Sequence, residues 1–146
     1  MNIVKYRGNP ILKPNGNDWE NLCVLNPGVV FDRKTNRFMM LYRAAGDDWN
    51  HYIRLGLAVS DDGFHFRRVS DKPAMDVNVD EPDGGCIEDP RIVEIDGVYY
   101  ITYAGRPFAP GRYWVEEDLK KFRSQQEKWP DSAPHLLRNE IGRAHV

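Results

Sequence analysis

Asp89 and Asn26 carry the most suggestive chemistry in the chain. Each precedes a proline, in "EDPRIVEI" and "LNPGVVFD". A carboxylate at the opening of an alternating apolar run, where a hydrophobic residue would pack better, can serve as a general acid. It does so when apolar surroundings or a nearby anion raise its pKa. It can equally bond backbone amides and stabilise a turn. Asn26 can donate to a sugar oxygen but cannot deprotonate water. Arg43 closes the apolar and aromatic stretch "MMLYR", where its planar guanidinium can hold sugar hydroxyls or an anion through several fixed donors. A plain surface arginine at a strand end is the alternative. Arg106, in "YAGR", has the same two readings. Strict alternation puts Glu88 on the face opposite Asp89, as a structural or rim-facing residue, while Arg91 shares the Asp89 face and can pair with it. In "GDDWNHY", Asp47 and Asp48 read as solvated loop carboxylates. Trp49 and Tyr52 can stack on a sugar or simply fill a gap at a rim.

These residues hang on short strands. Aromatics make up 12% of the chain, and Gly and Pro punctuate brief apolar runs, so the chain reads as all-β. The first hairpin pairs strands near 28–32 and 38–44 across a polar turn at 33–37. The second pairs 54–60 with 64–69, with Asp62-Gly63 as a positive-φ turn. An acidic loop, "DKPAMDVNVDEPDGG", leads to a third hairpin around Asp96-Gly97. The hairpins repeat: Cys23 falls on Cys86, Asn26 on Asp89, Pro27 on Pro90, Val30 on Val93, and Tyr42 on Tyr103 once the shorter turn is allowed for. Two hairpins and a long loop form one four-stranded unit, which is the pattern of β-propeller blades. A meander or sandwich with coincidental Asx-Pro pairs is the alternative. In a propeller, the first strand of each blade lines a central channel, so Asn26 and Asp89 would converge on one ligand. Fewer than two blades are present. The apolar faces of 29–31 and 99–103 are then expected to be open, and this piece alone is expected to aggregate or unfold partly and to be inactive. The sequence accordingly reads as the N-terminal part (1–139) of a longer propeller domain.

Composition narrows the function classes. The 146 residues are 41% hydrophobic and 29% charged, with a net charge of −2 and a pI near 6.1. No basic field points to nucleic acid or an anionic membrane. No apolar run approaches the roughly 20 residues that span a bilayer, and "MNIVKYRGNP" lacks the apolar core of a signal peptide. A cytoplasmic location is the expectation. Cys23 and Cys86 make no disulfide framework, and His51, His65, His135 and His145 show no metal-ligand spacing, so no cofactor or metal is expected. Aromatic and apolar residues at near-helical intervals predict a helix over 115–128, ended by Trp129-Pro130 and packed on the rim as an insert. The last seven residues, "EIGRAHV", can be encoded by a DNA string that contains a common short-read sequencing adapter. A non-native tail over 140–146, without function, is the expectation.

Three stretches, "NPGVVFD…FMMLYRAAG", "LGLAVSDDGFHF" and "IEDPRIVEIDGVYYITYAG", resemble successive N-terminal motifs of the β-mannoside phosphorylases of glycoside hydrolase family 130. The resemblance covers about 9–106. It implies a five-bladed propeller with its site in the central depression, and inverting phosphorolysis of β-mannosides to α-mannose 1-phosphate and a released sugar. It implies Asp89 as the general acid, acting directly or through a mannose hydroxyl, and Asn26 and Arg43 as holders of the mannosyl ring; Arg106 is a further substrate-binding candidate from its own place in the chain. Phosphate is the co-substrate, and most of the basic residues that bind it in the family lie beyond this chain. The implied partners are a β-mannosyl oligosaccharide and phosphate, with no nucleic acid and no membrane; homo-oligomerisation of the full-length protein is left open. An inverting hydrolase needs a second carboxylate to activate water, whereas phosphate arrives as an anion and needs cations instead. Asn26 in place of a first-blade Asp favours the phosphorylase. An inverting β-mannosidase and a non-catalytic carbohydrate-binding propeller remain the alternatives.

Overall fold

The computed structural model describes residues 3–107, 109–112, 114–117 and 120, and the backbone of 140–145. The described residues form one sheet path of antiparallel hairpins. Strands β1 (Cys23–Asp32), β2 (Arg37–Ala45), β3 (Ile53–Ser60) and β4 (Arg67–Arg68) make a four-stranded meander. Strands β5 (Cys86–Ile95) and β6 (Val98–Arg106) form the next hairpin, and β7 (Glu140–His145) pairs with the outer edge of β6. β3 and β5 join through one parallel pair, Ile53 with Cys86. The sequence thus folds as two hairpin-built units that meet at a single point in the ladder.

Local chemistry accounts for the turns. Asp96 and Gly97 both take positive φ, 51° and 79°, as a two-residue turn between Ile95 and Val98 requires. At the β1–β2 turn, the Asp32 carboxylate accepts bonds from the Lys34 amide at 2.9 Å and from the Thr35 hydroxyl. These bonds, with one from Tyr99, draw its pKa down to about 2. The second hairpin differs from expectation. Its return strand is only Arg67–Arg68, because Asp62 gathers the amides of Phe64 and His65 into a local capped turn instead of leaving them for a ladder. Gly63 is in the left-handed region, φ 78°.

The core sits on both faces of β2. Met40, Tyr42 and Ala44 pack with Ala58, under a lid of Ile11, Leu12, Trp19 and Phe66. On the other face, Ala45 joins Ile53 and Cys86 and so binds the first unit to the second. Burial pushes the Cys86 thiol up to about 11. Arg43 shares the Ala45 face and is therefore aimed at β5. Most of the expected helix over 115–128 lies outside the described residues, as do Asp118, Leu119 and Val146. The backbone of 140–145 continues the sheet by taking the open edge of β6.

Candidate functional site

The lone carboxylate does not lie at a strand mouth. It sits inside β5, at a bulge, and Asn26 sits at the matching bulge of β1. Register slips between Leu25 and Gly28 in the first hairpin, and between Glu88 and Arg91 in the second. In each, an Asx-Pro pair opposes a single tyrosine, Tyr42 or Tyr103. Asn26 and Asp89 have φ of 46° and 54°. Asn and Asp reach this left-handed region most readily among residues with a Cβ. The proline that follows gives up an amide that the bulge would leave unpaired anyway. The repeat therefore encodes a pair of bulges, each of which re-aims one polar side chain.

The two bulges face each other. Asn26 Nδ2 donates to Asp89 Oδ1 at 2.7 Å, and Arg43 Nη1 reaches the same oxygen at 3.1 Å. Arg43 Nη1 also lies 2.7 Å from Glu88 Oε2, while Arg106 Nη2 lies 3.0 Å from Glu88 Oε1. Asn26, Arg43, Asp89 and Arg106 thus form one cluster on β1, β2, β5 and β6. The Asp89 side chain is 42% exposed and reachable, whereas Glu88 is 12% exposed beneath it. Arg106 Nε is buried and has no hydrogen-bond partner among the described residues, at the edge of the cluster. The Asn26 bond is the chief reason that the Asp89 carboxyl lies below its ordinary range. Partial burial opposes it, and the Arg43 bond and the charges of Arg43 and Arg91 add to it. That direction is opposite to the raised pKa expected of a general acid, and it favours Asp89 as an anion.

Two expectations drawn from alternation need correcting. Glu88 is not on the far face or at a rim: the bulge after it breaks the period of two, so Glu88 and Asp89 both meet Arg43. Arg91 does not pair with the Asp89 carboxylate; its Nη1 donates to the main-chain oxygens of Asp89 and Pro90, at 3.3 and 2.8 Å. Beside the cluster, Asp48 is a loop cap that accepts from the Asn50 and His51 amides. Trp49 is half exposed beneath Arg112, and Tyr52 lies under Arg54.

Sequence reasoning passed over Glu20, which is fully buried. Its carboxylate accepts from the Tyr42 hydroxyl at 3.0 Å, from Arg68 Nε at 2.8 and 2.9 Å, and from Asn17 Nδ2 at 2.9 Å. The second unit repeats the device: Tyr103 donates to Asp83 at 2.6 Å. Glu20 precedes Asn26 by the same interval that separates Asp83 from Asp89. Each bulge is therefore backed by a tyrosine that is held by a carboxylate from the preceding loop. The repeat itself was the signal that could have found Glu20.

Gly28 fixes the distance between the bulges. A Cβ there would come 2.7 Å from the Pro90 carbonyl oxygen and 3.2 Å from its carbon, both backbone atoms. Gly28→Ala in the intact protein is expected to lose about 1–3 kcal/mol of stability, the usual cost of forced overpacking. Urea denaturation measures it, and an unchanged midpoint would mean that β1 and β5 separate there at no cost.

Fold and cluster together define an all-β protein of repeated hairpin units, with a charged polar cluster where successive units meet. The family model described as β-1,4-mannooligosaccharide phosphorylase matches residues 3–128, so the chain belongs to glycoside hydrolase family 130. It is 42% identical over 111 residues to a 1,2-β-oligomannan phosphorylase of Thermoanaerobacter sp. (strain X514), covering 72% of this chain and 36% of that protein. It is 30% identical over 144 residues to a β-1,2-mannobiose phosphorylase of the same organism, covering 85% and 45%. Among solved structures, it is similar to one from the family of mannoside phosphorylases that contains glycoside hydrolases targeting β-1,2 mannosidic linkages in Candida mannan. That likeness has a TM-score of 0.57 at 28% identity, over 69% of this chain and 33% of that one. The chain spans less than half the length of the curated relatives it matches.

Proposed function

We propose that this chain supplies the acid-bearing part of an inverting mannoside phosphorylase, a glycosyl-transferring enzyme built on a five-bladed propeller. The observation that carries the reading is the meeting of Asn26, Arg43 and Asp89 at paired bulges, with the carboxylate still reachable from solvent. In the reaction, the bond between mannosyl C1 and the bridging oxygen breaks, and a phosphate oxygen bonds to C1 from the opposite face. Asp89 passes its proton to the departing oxygen, directly or through a mannosyl hydroxyl. The products are α-mannose 1-phosphate and the released sugar. Asn26, Arg43 and Arg106 hold the substrates.

The lowered pKa of Asp89 fits this role if the substrate changes it. A mannosyl ring that takes the Asn26 amide removes the bond that most stabilises the Asp89 anion. Phosphate, itself anionic, and the exclusion of water both act in the same direction. Asp89 would then carry a proton only when there is a substrate to receive it. The half-exposed Val29, Phe31, Val93, Ile95 and Tyr100 offer apolar surface that further blades would cover. The cytoplasm is the proposed location, and inorganic phosphate the sole co-substrate.

Phosphate dependence is the test. The intact enzyme, given short β-mannosides, is expected to release α-mannose 1-phosphate and to stop when phosphate is omitted. The β-1,2 linkage named for both curated relatives is the first to try, and the β-1,4 linkage named for the family is the second. Cleavage that persists unchanged without phosphate establishes instead the β-mannosidase reading, which the solved hydrolases of the family favour. Sugar binding with no turnover under either condition leaves a carbohydrate-binding protein.

A further inference from the structure

We propose that Glu88 is a positioning residue for the acid, one that holds Arg43 and Arg106 in a shared clamp and takes on the part of Arg43's charge that would otherwise fall on Asp89. The inference deepens the proposed phosphorylase reading and rests on it for its catalytic consequence. Three distances carry it. Glu88 Oε2 lies 2.7 Å from Arg43 Nη1, closer than the 3.1 Å from that nitrogen to Asp89 Oδ1. The other Glu88 oxygen lies 3.0 Å from Arg106 Nη2. One carboxylate therefore ties β2 to β6 through two guanidinium groups, and Arg43 Nη1 is divided between two acidic residues adjacent in sequence.

Burial makes the arrangement stiff. Glu88 keeps 12% of its side-chain surface, Arg43 21% and Arg106 26%. A hydrogen-bonded charge set of this kind, largely out of water, has few alternative geometries and feels each charge strongly. The groups facing Asp89 are Asn26 from β1, Arg43 from β2, Glu88 and Arg91 from β5, and Arg106 from β6 through Glu88. His51 stands within electrostatic range of Arg43, and burial holds its pKa below the ordinary value. Across Glu88, Asp89, Arg43, Arg91 and Arg106 there is one more positive charge than negative. Without Glu88, Asp89 would face the three arginines alone and hold its proton less well. With Glu88 present, the pull of the arginines on Asp89 is smaller, and so is the shift that substrate has to supply.

The sign of each variant follows. Glu88→Gln keeps the shape and an acceptor for one of the two arginines but removes the negative charge, so Asp89 is expected to titrate about one pH unit lower. Arg106→Gln removes a positive charge and frees Glu88 for Arg43, so Asp89 is expected to titrate higher. The readout is the carboxyl carbon shift of Asp89, followed against pH in the intact, ligand-free protein. It needs no turnover, so it stands apart from any failure of the phosphorylase assay. Alongside it, the alkaline limb of kcat/KM, where the acid loses its proton, should move down for Glu88→Gln and up for Arg106→Gln. Opposite shifts in the two variants support the clamp. An Asp89 titration that stays in place in both, or moves the same way in both, overturns it, even if both variants are less active. If Glu88→Gln does not fold, Arg106→Gln decides alone: an upward shift supports the clamp and an unmoved titration removes it.

Discussion

Replacing Asp89 by Asn in the intact enzyme is expected to lower kcat by about 10²–10⁴, with KM changed little. This corresponds to roughly 2.7–5.4 kcal/mol of transition-state stabilisation at 1.36 kcal/mol per tenfold. The substitution is clean for a backbone reason. Residue 89 sits at φ 54°, and asparagine is among the few residues that adopt such a conformation readily, as Asn26 does at 46° in the sister bulge. The new amide oxygen can still accept from Asn26 and Arg43. What is lost is the carboxylate charge beside Arg43 and, with it, the transferable proton. An activated aryl mannoside, whose leaving group needs little protonation, should therefore recover most of the lost rate, and the pH limb that belongs to the acid should disappear. Asp89→Ala is a poorer test: alanine in the left-handed region costs about 1–2 kcal/mol, and Arg43 loses one of its carboxylates. An Asn variant within threefold of the wild-type kcat on natural mannosides would remove Asp89 as the proton donor. The all-β reading and the family would survive that result.

Much of this site was legible because the chain repeats itself. The interval that sets Asn26 over Asp89 also sets Pro27 over Pro90 and, once the shorter turn is allowed for, Tyr42 falls on Tyr103; the structure brings the two Asx residues to 2.7 Å. The Asp96-Gly97 turn was readable because its residues permit positive φ. What could not be read came from the same bulges. Alternation assigns faces by counting in twos, and one inserted residue reverses every assignment beyond it. Glu88 was therefore sent to the wrong face and Arg91 given the wrong partner. β1 was expected to begin near residue 28 because Asn26-Pro27 looked like a boundary; the ladder in fact passes through the bulge and starts at Cys23. Phe64–Phe66 looked like strand by composition, but Asp62 captured the amides that a strand would have needed.

Glu20 is where the largest loss of stability is expected. It has no exposed surface, and four side-chain hydrogen bonds from Tyr42, Arg68 and Asn17 end on its two oxygens. Glu20→Ala leaves the Arg68 guanidinium without its carboxylate and the Tyr42 hydroxyl without its acceptor. Breaking a buried ion pair in this way typically costs 3–5 kcal/mol, but Arg68 is 19% exposed and water relieves part of it, so about 2–4 kcal/mol is expected. Denaturant unfolding of the intact protein measures the loss. Tyr42→Phe, which removes one hydrogen bond, should cost only about 1 kcal/mol. The consequence should also reach the site. Tyr42 is the single residue opposite the Asn26-Pro27 bulge, and Glu20 holds its ring in place against Trp19. With that anchor gone, Asn26 loses its fixed aim at Asp89. Turnover by Glu20→Ala should then fall at temperatures well below its melting point, whereas Asp83→Ala, at the more open Tyr103, should cost less stability. A Glu20→Ala protein with wild-type turnover would show that the bulges keep their geometry without the carboxylates behind them, and the repeated Tyr–carboxylate pairs would then be no more than local packing.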